Sequence, residues 1–258
     1  MSKKVWKIVL CIGIVICLAC LGLFGWKQYQ AYRAQKELEA IEKSQYTERD
    51  GDEPELPEGV KHGESIDFEK LQKINKEIYA WIYVPGTKID YPVAQNAKDD
   101  EHYLKYNYKN EPEFAGCIYT EKANKKDFKD PNTVIYGHNM RNGSMFQNLH
   151  KFEDGDFFKK HTEVYIYTPE KTYTYKIFAA YKYDNRHILK SFDYFKDKKV
   201  FKDYLKTVMA TREMISHIRT SQKVTQDDKI ITLSTCVGGQ PENRYLVQAV
   251  LTNERDAK

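Results

Sequence analysis

Cysteine is scarce in this chain of 258 residues: there are five, and Cys11, Cys17 and Cys20 all fall inside one apolar run near the N-terminus. Only Cys117 and Cys236 remain for the rest of the chain, which excludes a disulfide-built scaffold and leaves at most one bridge between them. The fold must therefore be held by a core. No Cys-x-x-Cys, His-Glu-x-x-His, Gly-x-Gly-x-x-Gly or Walker loop occurs, so the marks of a dithiol redox centre, a zinc protease and a nucleotide-phosphate cradle are missing. His138, His150 and His161 are too widely spaced to suggest a metal site on one element. Asp154 and Asp156 sit beside Gly and Lys and read as loop residues rather than an acid/base pair. An excess of one charge is lacking too. Beyond residue 26 the chain holds 38 basic and 37 acidic residues, so it offers no concentrated basic face and nucleic acid is not an expected partner. Lys196, Lys198, Lys199 and Lys202 read as a solvated helix face.

What the chain does have is an almost uninterrupted apolar stretch from Ile8 to Trp26. As a helix rising about 1.5 Å per residue it would reach about 28 Å, close to the hydrocarbon thickness of a bilayer. Lys3, Lys4 and Lys7 precede it and favour a cytoplasmic N-terminus, although Lys27, Arg33 and Lys36 follow it. A cleaved signal peptide is one alternative, but the run is longer than a usual h-region and no clear small-x-small site follows. A lipoprotein signal ending at Cys20 is another, with Cys17 standing where an aliphatic residue belongs. The expectation is an uncleaved, single-pass signal-anchor: 1–7 cytoplasmic, 8–26 in the membrane, and the rest outside the cell. Within 27–63, Gln28 to Ser44 reads as a juxtamembrane helix, and the acidic, Pro- and Gly-containing stretch from Tyr46 to Gly63 as a flexible spacer.

The remaining 64–258 is long enough for one sizeable core, shows no internal repeat, and alternates short strands with inserted helices. Ile66 to Ile78 reads as an amphipathic helix, Ala80–Val84 and Ile89–Val93 as strands around Pro85-Gly86, and Asp99 to Tyr108 as a short helix. Strands are expected at Gly116–Thr120 and Thr133–Tyr136, one or two short helices within Gly143–His161, and a hairpin of Glu163–Tyr167 with Lys171–Tyr183. Ser191 to Ile215 contains a helix with Val200, Phe201, Tyr204, Leu205 and Val208 at helical spacing. Two strands close the unit. The pattern points to a mixed, mainly antiparallel barrel or sandwich.

The first of those last strands, Ile230-Ile231-Thr232-Leu233-Ser234-Thr235-Cys236, ends in a thiol, and the second opens with Arg244. Upstream, Val134-Ile135-Tyr136-Gly137-His138 is a third strand, ending in an imidazole. Alternation puts Ile231, Leu233 and Thr235 on one face, and Thr232, Ser234 and Cys236 on the other, so Cys236 shares its face with small hydroxyls where a peptide could approach. Taken alone, a strand cysteine is more often structural, a turn histidine a satisfied polar group, and a strand-start arginine a solvated one. Together, a thiol, an imidazole and a guanidinium at strand ends point to covalent catalysis by an activated cysteine.

Thr232-Leu233-Ser234-Thr235-Cys236 resembles the Thr-Leu-x-Thr-Cys signature of sortases, and His138 and Arg244 fall where the other catalytic residues of that family lie. Trp81-Ile82 followed by Ile89-Asp90-Tyr91-Pro92-Val93-Ala94-Gln95, then Tyr103-Leu104, resemble class B in particular. So do Tyr136-Gly137-His138-Asn139-Met140 and the long helical insertion over Arg186 to Ser216, between the sixth and seventh strands. One departure is Val237-Gly238-Gly239, where some class B members carry an acid after the cysteine. The resemblance, covering residues 64–253, implies an eight-stranded β-barrel preceded by N-terminal helices and an anchor, in the cell membrane of a Gram-positive-type bacterium. It implies that Cys236 attacks the Thr carbonyl of an Asn-Pro-x-Thr sorting signal and forms a thioacyl enzyme. A peptidoglycan amine then takes the acyl group, His138 moves the protons, and Arg244 hydrogen-bonds substrate carbonyls or the developing oxyanion. Ser234 and Thr235 would line the peptide groove, the insertion would form one wall, and no cofactor would be needed. The alternatives are a cell-wall cysteine hydrolase and a non-catalytic, tethered peptide-binding module. Against the former, papain-like chains place cysteine before histidine, whereas His138 precedes Cys236, and caspase-like context around the thiol is absent.

Overall fold

The computed structural model describes residue 17, residues 19–33, residue 36 and residues 66–257. It divides into two units, Met1–Gln45 and Tyr46–Lys258. In the first, residues 19–33 are helical and almost wholly exposed, with Leu21, Leu23, Phe24 and Trp26 all turned outward. Among the described residues no helix is long and apolar enough to cross a membrane. Much of the expected anchor (8–16 and 18) lies outside the described residues, as do the expected cytoplasmic segment 1–7 and the spacer.

The second unit opens with helix α1 (Phe68–Ile74), capped by Asp67, whose carboxylate accepts from the backbone N–H of Lys70. The helix is shorter than the expected Ile66–Ile78. Asn75 turns extended and donates Nδ2 to Tyr103 OH at 2.8 Å and to the Tyr108 carbonyl at 3.0 Å. Those long-range bonds hold the chain out of the helix, and Ile78 instead begins strand β1.

Among the described residues nine strands follow: β1 (Ile78–Tyr83), β2 (Asp90–Ala94), β3 (Ile118–Thr120), β4 (Asn132–Tyr136), β5 (Glu163–Tyr167), β6 (Lys171–Asp184), β7 (His217–Ile218), β8 (Ile230–Val237) and β9 (Gln240–Asp256). They pair in the order β5-β1-β2-β3-β4-β8-β9-β6-β7, and a further β5–β6 pairing closes eight of them into a barrel, as the sequence resemblance implied. Closure removes the open edges that would otherwise invite association. The two-residue β7 pairs with β6 at Ala179 and Ala180, beyond the reach of β5. All pairs are antiparallel except β2–β3 and β4–β8. The parallel β4–β8 pair matters most, because it sends the C-terminal ends of both strands to the same end of the barrel.

The insertion between β6 and β7 carries α3 (Ile188–Ser191), a 3₁₀ turn at Asp193–Phe195 and α4 (Lys198–Ala210). Between β4 and β5 lies helix α2 (Gly155–Lys160), which follows a 3₁₀ stretch at Phe146–Glu153. Helix α4 buries Phe201, Tyr204, Leu205 and Val208, the apolar stripe read from the sequence, against Val134, Ile230, Leu246 and Val250 of the barrel wall. Each such side chain contributes about 1.5–3 kcal/mol by leaving water. On the exposed side Lys198 pairs with Asp227 and Lys199 with Asp203, and Lys196 just ahead of the helix pairs with Asp193.

Candidate active site

Strand register brings the expected site together. Tyr136 of β4 lies opposite Ser234 of β8, so His138 and Cys236 each stand just past the last paired positions of adjacent strands. On the other side of β8, Cys236 is directly opposite Arg244 of β9. Gly137 makes the approach of His138 feasible: a Cβ there would lie 2.5 Å from Ile118 Cδ1 and 2.7 Å from Phe146 Cγ. Beyond Cys236 the chain turns through Gly238 and Gly239, with Gly239 at φ +72° and open space around both.

The Cys236 thiol is free and exposed, whereas Cys117 is free and buried, so the single bridge left open by the sequence is not formed. Burial pushes the Cys117 thiol well above the usual range and keeps it inert. Arg244 is half-buried and donates Nη1 to the carbonyls of Pro241 and Asn243, both at 2.9 Å. These bonds fix the guanidinium beside the thiol strand.

His138 is half-buried, with Nε2 2.9 Å from the Leu104 carbonyl. A carbonyl only accepts, so this contact assigns the proton to Nε2 and leaves Nδ1 as the nitrogen that can exchange one. Phe114, 81% exposed, stacks on the imidazole with centroids 5.8 Å apart and planes at 14°.

Ser234 and Thr235 are both buried, at 5% and 2% exposure. Thr235 Oγ donates to the Gly137 carbonyl at 2.9 Å, tying the two strand ends to one another just before the thiol and the imidazole. Thr232, on the same face as Cys236, is not open to a peptide. Its hydroxyl donates to Asn132 Oδ1 at 2.8 Å and accepts from Gln248 Nε2 at 2.8 Å. Gln248 also donates to Tyr204 OH of α4, whose phenol burial pushes up to about 12. The insertion thus seals the start of the hydroxyl face and leaves its end uncovered.

Sequence reasoning missed a second set of residues around Cys236. Its carbonyl accepts from Asn139 Nδ2 at 2.8 Å and lies 3.0 Å from His150 Nε2, while His150 Nδ1 lies 2.6 Å from Glu153 Oε1. Asn139 stands beside His138 in the motif, and His150 and Glu153 have the i, i+3 spacing that places two side chains on one helix face. What the sequence does not carry is their approach to Cys236.

Farther along the wall, Tyr119 and Tyr136 stack with centroids 5.4 Å apart. Burial raises both phenols above the usual tyrosine value. Next to them Glu121 Oε2 meets His187 Nε2 at 2.7 Å, linking the barrel to the start of the insertion. Burial holds this carboxyl above the usual glutamate range, with His187 pulling the other way. Among the described residues no group of three or more His, Cys, Asp or Glu side chains is arranged to hold a metal.

Comparison with known proteins matches this chain to one family. The sortase domain model matches residues 82–252. Sortase B of Listeria monocytogenes is 37% identical over 234 residues, covering 87% of this chain and 89% of that protein. The crystal structure of Clostridium perfringens sortase B superposes with a TM-score of 0.66 at 32% identity, covering 72% of this chain and 100% of that one. A Staphylococcus aureus sortase B–substrate complex superposes with a TM-score of 0.63 at 30% identity, covering 72% and 84%.

Proposed function

This chain belongs to the sortase family and is a class B cysteine transpeptidase, and on that premise we propose that it joins secreted proteins carrying an Asn-Pro-x-Thr-type signal to a peptidoglycan amine, with Cys236, His138 and Arg244 as the catalytic residues. The observation that carries this reading is the exposed, free thiol of Cys236 directly opposite Arg244, with His138 just past the paired end of the neighbouring strand.

In this mechanism the Cys236 thiol gives its proton to His138 Nδ1, and sulfur attacks the Thr carbonyl carbon. The tetrahedral intermediate collapses by breaking the C–N bond after Thr, and His138 returns the proton to the departing amine. An incoming amine then attacks the thioester, loses a proton to His138 and expels the sulfur, which is reprotonated. Guanidinium N–H groups of Arg244 stabilise the oxyanion in both halves, a contribution of about 3–4 kcal/mol for such a donor. Ser234 and Thr235 act on the peptide groove from beneath: their burial favours a role in fixing its floor. The insertion from Arg186 to Ser216 forms one wall.

Peptide binding is supported by the substrate complex of the S. aureus relative. A membrane anchor over 8–26 would hold the enzyme outside the cell beside substrates that are themselves at the membrane, raising their effective concentration. Water can replace the amine at the thioester, so hydrolysis is the outcome when no acceptor is present.

The test is turnover of a peptide panel by the full-length protein in detergent, with and without an amine acceptor. Asn-Pro-x-Thr peptides should be cleaved after Thr and, with amine, yield the Thr–amine product, while Cys236→Ala yields neither. Preferred cleavage of Leu-Pro-x-Thr peptides would overturn the signal assignment, and turnover by Cys236→Ala would overturn the nucleophile.

A further inference from the structure

The β4–β8 ladder ends before the chemistry begins. Its last Cα pair is Tyr136 with Ser234, followed by one more bond from Gly137 N–H to the Ser234 carbonyl at 3.2 Å. After that, β4 leaves the sheet, and the chain beyond Cys236 is a glycine turn with open space around it and a register shift at Cys236/Val237. With β9 alone holding it, the thiol residue would lie on a strand end supported on one side.

Side chains take over on the other side. Asn139 Nδ2 reaches the Cys236 carbonyl at 2.8 Å and His150 Nε2 reaches it at 3.0 Å. His150 is itself held from two directions. Glu153 Oε1 lies 2.6 Å from its Nδ1, and the Tyr245 ring stacks on it with centroids 5.2 Å apart. The Glu153 carboxylate faces Nδ1, and Nε2 lies against both the Cys236 carbonyl and, at 3.2 Å, Asn139 Nδ2, so the ring sits in a closed set of polar contacts. Asn139 is the residue after His138, so its contact with the Cys236 carbonyl ties the loop carrying the imidazole to the backbone of the thiol residue.

We propose that Asn139 and His150, with Glu153 behind His150, are positioning residues of the reaction: they continue the β4–β8 ladder through the Cys236 carbonyl and fix the thiol relative to His138. This rests on Cys236 being the nucleophile. None of the three residues acts on the substrate in this proposal; their effect passes through the placement of Cys236. Misplacement of a reacting atom lowers the chemical step far more than it weakens binding.

The test compares Asn139→Ala, His150→Ala and His150→Gln in the full-length protein in detergent, measuring kcat, KM and melting temperature on a cleavable signal peptide. Both alanine variants should lose about tenfold or more in kcat with KM within about twofold of wild type. His150→Gln keeps an N–H donor able to reach the same carbonyl and should recover most of the loss. If His150→Ala fails to fold, Asn139→Ala and His150→Gln decide the matter. Unchanged kcat in folded Asn139→Ala and His150→Ala, with only the melting temperature lowered, would reduce these residues to a structural role and overturn the proposal. Cys236→Ala is the control: retained turnover there would remove the nucleophile assignment, a failure distinct from normal Cys236 dependence with unaffected positioning variants.

Discussion

Thr232 and Cys236 share one face of β8, yet Thr232 is 0% exposed while Cys236 stands in solvent. At Thr232 the side chain is used up: Asn132 and Gln248 engage its hydroxyl, and Tyr204 of the insertion completes the network. At Cys236 only the backbone is engaged, by Asn139, His150 and the pairing with β9, and the sulfur is left free. The same strand therefore provides stability at one end and reactivity at the other. Rigidity at the reactive end comes from the main chain, so the thiol can be both placed and available.

The comparison can be broken from either end. The largest effect is expected at Arg244, opposite the thiol. Arg244→Ala should lower kcat/KM by about 10²–10³-fold, as for loss of a single oxyanion donor, with little change in melting temperature. Arg244→Lys keeps charge but not the planar fork and should recover only part of the activity. Steady-state kinetics on the peptide substrate checks both.

At the sealed end, Gln248→Leu removes the shared partner of Thr232 and Tyr204. It should cost about 1–3 kcal/mol of stability, because buried hydroxyls lose their partners, while the folded protein keeps its kcat. Denaturant unfolding together with activity in the folded baseline separates the two ends cleanly. A loss of kcat as large as that of Arg244→Ala would show that the sealed end also tunes the chemistry.

The smallest effect concerns the Glu121–His187 link to the insertion. Folding raises the Glu121 pKa through burial, so the native state binds more protons than the unfolded chain over that window. Its stabilising contribution is therefore full below the ordinary glutamate value and is lost as pH rises through the raised one. Glu121→Gln removes this slope, so its melting temperature relative to wild type should rise from acidic to neutral pH. Thermal melts across that range check the sign; a relative fall would mean that the ion pair outweighs the burial cost.

Much of this was legible in the sequence, and the reasons for the rest are specific. Thr133–Tyr136, Glu163–Tyr167 and Ile230–Cys236 are short apolar or alternating runs bounded by turns, and they form strands as expected. The β5–β6 hairpin was read from its local pattern, but barrel closure came from the family resemblance, since it also needs the long-range β1–β5 and β6–β9 pairings that no local pattern encodes. Asp99–Tyr108 was expected to be a helix but yields only a 3₁₀ turn at His102–Leu104. There, tertiary bonds compete with helix: Tyr103 binds Asn75 and its carbonyl accepts from Cys117 N–H, while Leu104 offers its carbonyl to His138. The helix expected within Ser191–Ile215 is confined to Lys198–Ala210, opened by an Asp197 cap on the Lys199 N–H. The hydroxyl face of β8 read as an approach route for peptide, but the strand pattern cannot show that α4 lies over Thr232. His150 was weighed only as a metal ligand, because its approach to Cys236 spans 86 residues.

The most direct test of the account is the mass of the full-length enzyme trapped during turnover of an Asn-Pro-x-Thr peptide without added amine, followed by peptide mapping. The expected result is an adduct equal to the peptide's N-terminal half, ending in Thr, carried by Cys236 and absent from Cys236→Ala. Peptide cleavage with no adduct in wild type and undiminished in Cys236→Ala would contradict a thioacyl intermediate on this residue and, with it, the division of labour along β8.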